Sequence, residues 1–349
     1  MNSTNEINIS FPHKKTLEAI LFLSAFLLLS FTQPVYSIEM QAAPKDSQPQ
    51  LFRRRPKIKI LFAFSIEAAE KLGYVYGSEL KDKKAIEQMN EVADLMISVG
   101  NRSFRNSHIH FELGKTKVVI ASYISEKNLM THEHYLDFNM TGMLKQLPGT
   151  RNKNDKKIIY RFKEFYLLEQ SRIALKADVV VLIITAKYHF NENECGSSFD
   201  GKKGINRDTA YMVVRLPCMI NKENLDFNYH LGHLIGASDS VNSGGFSKED
   251  EFFYGHGYIQ NKHKPYWRTI MTRAEDCPSC TVINYWSNPL VEVNEIPTGI
   301  YRTNNNALLW RVHGRKLVRV YEEFDKNRGK PPVLLLQRPV KNNYISTQN

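Results

Sequence analysis

Between Asp178 and Thr185 the chain reads Asp178-Val-Val-Val-Leu-Ile-Ile-Thr185, an apolar run with no polar residue inside it. A strand with one wet face alternates apolar and polar residues, so an unbroken run of this length predicts a strand buried on both faces. Such a strand needs material packed above and below its sheet.

The surrounding segments supply that material. Lys57-Ile-Lys-Ile-Leu-Phe-Ala-Phe64 begins with alternation and ends apolar, as a first strand entering a core does. Leu80 to Ser103 places Ile86, Met89, Val92, Ala93, Met96 and Val99 at helical spacing. His108 to Leu113 and Lys117 to Ser122 read as two strand pieces joined by a bend at Gly114. Tyr160 to Ala177 reads as a helix with Phe162, Phe165, Leu168 and Ile173 inward, and Ala210 to Leu216 as a further strand. Asn304 to Phe324 forms a late amphipathic helix through Leu308, Leu309, Val312, Leu317, Val320 and Tyr321. The stretch from 124 to 155 is polar and uneven. Helices and strands alternate without any internal repeat, so the fold class is α+β, with an α/β-like mixed sheet.

Composition is that of an ordinary globular protein: 42% hydrophobic and 24% charged among 349 residues. The formal net charge is +11, but the basic residues are scattered and no nucleic-acid motif accompanies them, so they read as solvated surface rather than a nucleic-acid footprint. Residues 1–37 read as a secretory signal peptide. Lys14 and Lys15 precede an apolar run from Leu17 to Phe31, and Val35-Tyr-Ser37 offers the cleavage site. The run is short for a bilayer span and contains Glu18; no transmembrane segment remains after its removal. Residues 38–56 read as a linker, 57–325 as the folded domain and 326–349 as a loose tail. Export places the four cysteines in an oxidising compartment. Cys277-Pro-Ser-Cys280 is half of what a zinc knuckle needs, and no second pair matches. Two structural disulfides, Cys195–Cys218 and Cys277–Cys280, are the plain reading.

The chemistry concentrates in Asp226-Phe-Asn-Tyr-His-Leu-Gly-His-Leu-Ile-Gly-Ala-Ser-Asp239. On a helix, Asp226, Tyr229, His230 and His233 share one polar stripe, with Phe227, Leu231 and Leu234 opposite. Gly236 then lets the backbone turn and bring Asp239 back toward the histidines. Zinc hydrolysis uses this plan: two ligands on one helix face, a third beyond a turn, and a base beside the bound water. Asp226 stands four residues before His230, where it could orient that ring.

Tyr229 to Asp239 resembles the long zinc signature of the metzincin peptidases, in particular the reprolysin-like and bacterial peptidyl-Asp endopeptidase branches. Trp267-Arg-Thr-Ile-Met-Thr272 resembles the family's Met-turn, with Met271 as the hydrophobic floor under the metal. Tyr254 to Tyr258, Asn284 to Pro289 and Ser171 to Leu182 resemble flanking segments. The resemblance implies a metzincin-like catalytic domain with an active-site helix and a smaller C-terminal part carrying the Met-turn, the Cys277–Cys280 staple and the late helix. It also implies zinc as cofactor, with His233 and Asp239 as second and third ligands, and a peptide or protein as substrate or partner.

In that alignment Tyr229 stands where the first histidine belongs and His230 where the catalytic glutamate belongs. A phenol must lose a proton near pH 10 to bind zinc well. His230 could act as a base in the glutamate's place, or join His233 and either Asp239 or Asp226 in a shifted metal site. The expectation is an exported, secreted or periplasmic metallopeptidase homologue with a peptide-binding cleft and lost or altered hydrolysis. The alternatives are an active zinc endopeptidase with an altered site, and a non-catalytic envelope protein. His256, between two glycines, is expected in a cleft loop; His263 has only composition in its favour.

Overall fold

The computed structural model describes residues 54–75, 78–121, 124–126, 167–185, 195–220, 225–241, 252–318 and 320–321. The leader, the tail, residues 127–155 of the polar stretch and the start of the helix expected from Tyr160 lie outside them.

Strand β1 (Lys57–Ser65) is followed by a short helix α1 (Ile66–Lys71), the 28-residue helix α2 (Glu79–Asn106) and β2 (Glu112–Ala121). Then come β3 (Val179–Ile184), β4 (Gly196–Ser198) and β5 (Tyr211–Arg215). These strands form one mixed sheet in the order β2-β1-β3-β5-β4. All neighbours are parallel except β4, which runs antiparallel to β5 at one edge. The fold is α+β.

The apolar run on β3 behaves as its pattern requires, because every one of its six residues is buried. Val179, Val181 and Ile183 join Ile58, Ile60, Phe62 and Phe64 of β1 and Met212 and Val214 of β5 on one side. Val180, Leu182 and Ile184 join Leu61, Ala63, Tyr211 and Val213 on the other, where Leu168 and Ala177 cover them. Period-two alternation thus splits one apolar strand between two cores. On the second face Glu169 is buried and takes Tyr211's hydroxyl and the guanidinium of Arg207, while Arg172 stacks over the Tyr211 ring at 4.9 Å.

The first core receives α2 through Met89, Val92, Ala93, Met96 and Phe104. Ile86, one of its expected inward residues, is 44% exposed, since it sits at the margin of the stripe. His108, with φ of 53°, turns the chain from α2 into β2. The two strand pieces expected on either side of Gly114 are instead one strand that begins at Glu112. Gly114 pairs with Lys59 inside it, and the irregularity falls one step later. Ile60 pairs with Lys115 and Leu61 with Lys117, leaving Thr116 as an extra residue whose hydroxyl donates to the Ile60 carbonyl at 3.0 Å. That is a bulge, which a sequence pattern does not distinguish from a bend.

After β5 come α3 (Leu216–Met219) and α4 (Asp226–Leu234). Short strands β6 (Ile259–Gln260), β7 (Trp267–Arg268) and β8 (Thr281–Val282) make a small sheet, and β9 (Glu292–Val293) pairs with β10 (Ile296–Pro297). The late helix α5 spans Asn306–Val318. It does not stand apart with the C-terminal segments. Trp310 lies edge-on to Phe104 at 4.7 Å and to Trp286 at 5.4 Å and packs against Phe111, which places α5 in the same core as α2. Its buried face is Leu309, Trp310, His313 and Leu317, while Val312 is 48% exposed. Both disulfides are present: Cys195–Cys218 and Cys277–Cys280. Among the described residues no helix is long and apolar enough to cross a membrane.

Candidate functional site

Helix α4 is placed by its apolar side. Phe227, Leu231 and Leu234 are buried in the first core, and Phe227 meets Phe62 of β1 with ring centroids 6.2 Å apart. The helix ends in a Schellman motif: Ala237 N–H donates to Gly232 O at 3.0 Å and Gly236 N–H to His233 O at 2.9 Å. Gly236 has φ of +90°, a conformation that costs other residues strain. The turn carries Asp239 back over the helix face.

There the polar stripe and the returning loop meet. The Tyr229 hydroxyl donates to Oδ1 of Asp239 at 2.5 Å. His233 lies edge-on to the Tyr229 ring at 4.6 Å. Its Nδ1–H donates to the Ala237 carbonyl at 2.9 Å, which leaves Nε2 as the lone-pair nitrogen, 3.6 Å from the same Oδ1. The other carboxylate oxygen, Oδ2, is 2.7 Å from the Arg273 guanidinium. His256 donates from Nδ1 to the Asp239 backbone carbonyl at 2.7 Å and is buried. It props the Asp239 turn from behind and is not among the residues lining the cleft. His263 contributes its carbonyl to Gln260 and takes no part in the site.

Met271 is completely buried beneath α4. A Cβ on Gly232 would fall 2.3 Å from its sulfur and 2.8 Å from the Trp286 ring, so the helix rests on that pair through a glycine. Gly257 meets the Met271 carbonyl just as closely, at 1.8 Å for an added Cβ. Trp286 is held by Ser107 Oγ at its backbone N–H (2.7 Å) and by Ser103 Oγ at its ring N–H (3.0 Å).

The polar stripe opens onto a cleft of about 950 Å³. Tyr229, His230, His233 and Asp226 line it from α4, Gly196 to Ser198 from β4, and Arg268, Thr272, Arg273 and Glu275 from the opposite wall. His230 is buried against β4: a Cβ on Gly196 would meet its ring at 2.6 Å. Burial, helped by neighbouring His233, pushes the His230 imidazole down to about 3. It therefore stays neutral and holds a proton poorly, which is the wrong property for a general base at neutral pH. Burial, reinforced by Asp239, pushes the Tyr229 phenol up, so it stays protonated and acts as a donor. Burial also lowers His233, against the opposing pull of Asp239.

These donors do not fit a catalytic zinc. His233 Nε2 and Asp239 Oδ1, 3.6 Å apart, are two possible donors, but Tyr229 offers a proton where a metal needs an electron pair, which leaves the set one ligand short. The shifted set His230, His233 and Asp239 is not among the described groups of three whose ligand atoms lie mutually within 4.8 Å. Among the described residues, the three such side chains with ligand atoms mutually within 4.8 Å are Cys195, Cys218 and Asp226. The two sulfurs are bonded to each other, so they are not thiolate ligands.

The structure adds residues that the sequence did not single out. Arg273 is a lone arginine after Thr272, and nothing local marks it as the partner of an aspartate 34 positions earlier. Gly232 lies between the two histidines with nothing local to mark it as the contact with Met271 and Trp286. Asn306, reading only as helix-start polarity, donates from its side chain to Gly255 O at 2.8 Å and accepts from Ser287 Oγ at 2.9 Å, and Asn304 donates to Gly257 O at 2.5 Å. The three-asparagine run before a helix was the available signal, and these bonds hold the loops behind the site.

No family model matches the chain. It is similar to the peptidyl-Asp metalloendopeptidase of Xanthomonas campestris pv. campestris, with 26% identity over 219 residues, 62% of this chain and 44% of that protein. The protein of the same name from Stenotrophomonas maltophilia strain K279a is 28% identical over 223 residues, 62% of this chain and 45% of the relative. A shorter match, 42% identical over 66 residues, is to the Pseudomonas fragi protein of that name and covers 18% of this chain and 40% of that one. The chain spans less than half the length of the curated relatives it matches. A solved chain titled "Structure of a chaperone-substrate complex" superposes with a TM-score of 0.50 at 14% identity, over 77% of this chain and 35% of that one, a likeness of fold alone. The sequence relatives, all named for metal-dependent peptide hydrolysis, support a metallopeptidase family for this chain.

Proposed function

We propose that the protein is an exported, metzincin-like homologue of the metallopeptidases that binds peptide or protein in its cleft without zinc-dependent hydrolysis. One observation carries the reading: the Asp239 carboxylate, aligned with the third metal ligand, accepts a hydrogen bond from Tyr229, the residue aligned with the first. A phenol kept protonated in the first ligand's place leaves His233 and Asp239 as donors, one short of the three protein ligands of a catalytic zinc, and a buried neutral His230 supplies no base. The supports of the cleft are nonetheless kept: the Schellman turn, Met271 under Gly232, and an edge strand β4 along one wall. Signal cleavage after Ser37 and a domain from 57 to 325 belong to the same proposal, and two disulfides suit an oxidising compartment.

The test is to purify the mature chain, measure zinc per chain by elemental analysis, and incubate it with a broad peptide mixture with and without a chelator. The expected result is substoichiometric zinc, no chelator-sensitive cleavage, and retained peptide binding. Stoichiometric zinc together with chelator-sensitive cleavage would overturn the proposal.

A further inference from the structure

We infer that Arg273 is a built-in cation that holds Asp239 in the place a metal would take and keeps divalent ions out of the site. The inference rests on the proposed loss of zinc chemistry and names the residue that enforces it.

Three observations converge. First, the Arg273 guanidinium pairs with Oδ2 of Asp239 at 2.7 Å while Tyr229 donates to Oδ1. A carboxylate so placed has its negative charge matched by a fixed positive one.

Second, the arginine is held where it is. Asp276 Oδ2 accepts from Ser240 Oγ at 2.7 Å and from the backbone N–H of Arg273 at 3.3 Å. The segments 239–240 and 273–276 therefore exchange partners: each gives one acid and receives one donor from the other. The Cys277–Cys280 disulfide closes the turn immediately beyond.

Third, Arg273 lines the cleft with its side chain 56% exposed, while its partner Asp239 is only 13% exposed. A divalent ion approaching His233 Nε2 meets a guanidinium before it meets a free carboxylate. Like charges at such separations repel appreciably even at the dielectric of a protein surface. The contacts join two cleft walls, so the same pair straps α4's turn to the segment after Met271.

The experiment compares the wild type with Arg273→Gln, Tyr229→His and the double variant, all as the mature full chain. Zinc affinity is read by competition with a chromophoric chelator, and coordination by the visible absorption of cobalt(II). The expected result is that Arg273→Gln raises the zinc affinity of the Tyr229→His protein by at least tenfold, with a cobalt spectrum of low coordination number appearing in the double variant only. Equal affinity of Tyr229→His with and without Arg273 would overturn the inference, as would failure of the double variant to bind either metal. Arg273→Met, of similar length and apolar, replaces Arg273→Gln if circular dichroism shows that the latter does not fold, and it carries the same expectation. Stoichiometric zinc in the wild type would overturn this inference and the proposed function together. A Tyr229→His protein indifferent to Arg273 overturns this inference alone.

Discussion

The phenol of Tyr229 and the carboxylate of Asp239 meet at 2.5 Å across the turn that Gly236 makes at the end of α4. The two side chains are ten positions apart, and each satisfies the other's polar group in a part-buried setting. In a metal site both would face a common ion; here they face each other.

Replacing Tyr229 by Phe removes the donor and leaves one carboxylate oxygen without its partner. Bonds to charged groups contribute about 1.5–3 kcal/mol when buried, and this site is part-buried. Tyr229→Phe should lower stability by about 1–2 kcal/mol, read as a shift in urea midpoint at constant slope. An unchanged midpoint would mean that the contact is not maintained in solution.

Gly232 faces Met271 Sδ and the Trp286 ring at distances an added Cβ cannot share. On an open helix Gly→Ala stabilises, since alanine has the best helix propensity. At this position the sign reverses, because overpacking costs about 1–3 kcal/mol and the methionine can yield while the tryptophan, held at both nitrogens by serines, cannot. A thermal melt of Gly232→Ala is expected several degrees below wild type, and a rise would show that the helix does not rest on Met271.

Asp178 is buried at the start of β3 and accepts from Lys59 N–H at 2.8 Å. Burial, the dominant cause, raises its carboxyl from 3.8 to about 6, against the lowering effect of that hydrogen bond. The folded protein therefore binds this proton more tightly than the unfolded chain. The associated stability is fully present below 3.8 and is lost as pH rises through about 6. Asp178→Asn keeps an acceptor for Lys59 and has no charge to bury. Denaturation between pH 4 and 7 should show this component of the slope vanish in the variant; an identical slope in both proteins would refute the assignment.

Cys195–Cys218 joins the β4 edge to α3 across 23 positions. Constraining a loop of that size stabilises by about 3 kcal/mol in the chain-entropy view. Replacing both cysteines by serine should lower stability by that order. It should also speed amide exchange in β4, which is three residues long and paired on one side only. Exchange that rises elsewhere but not in β4 would count against its dependence on the bridge.

Much of this architecture is written locally. The unbroken run on β3 demanded two covered faces, and alternation divides its residues between them. The spacing of Phe227, Leu231 and Leu234 set the buried side of α4, and Gly236 marked its end, because left-handed backbone has few other occupants. Local pattern was weaker where a residue's role depends on a distant one. Gly114 reads as a bend, yet it is strand, because only pairing with β1 shows that Thr116 is the extra residue. Val312 and Ile86 fit helical stripes and are exposed, because spacing names a face but not its edge.

The candidate site divides the same way. The sequence by itself placed Tyr229, His230 and His233 on one helix face and returned Asp239 toward them, since helix periodicity and a glycine turn are properties of neighbouring residues. Only the tertiary structure decided what that convergence amounts to. Arg273 reaches Asp239 from 34 positions away, and Trp310 seats α5 against Phe104 in the core beneath. Charge pairing and close packing act through space, and no pattern along the chain encodes which oxygen a guanidinium will take.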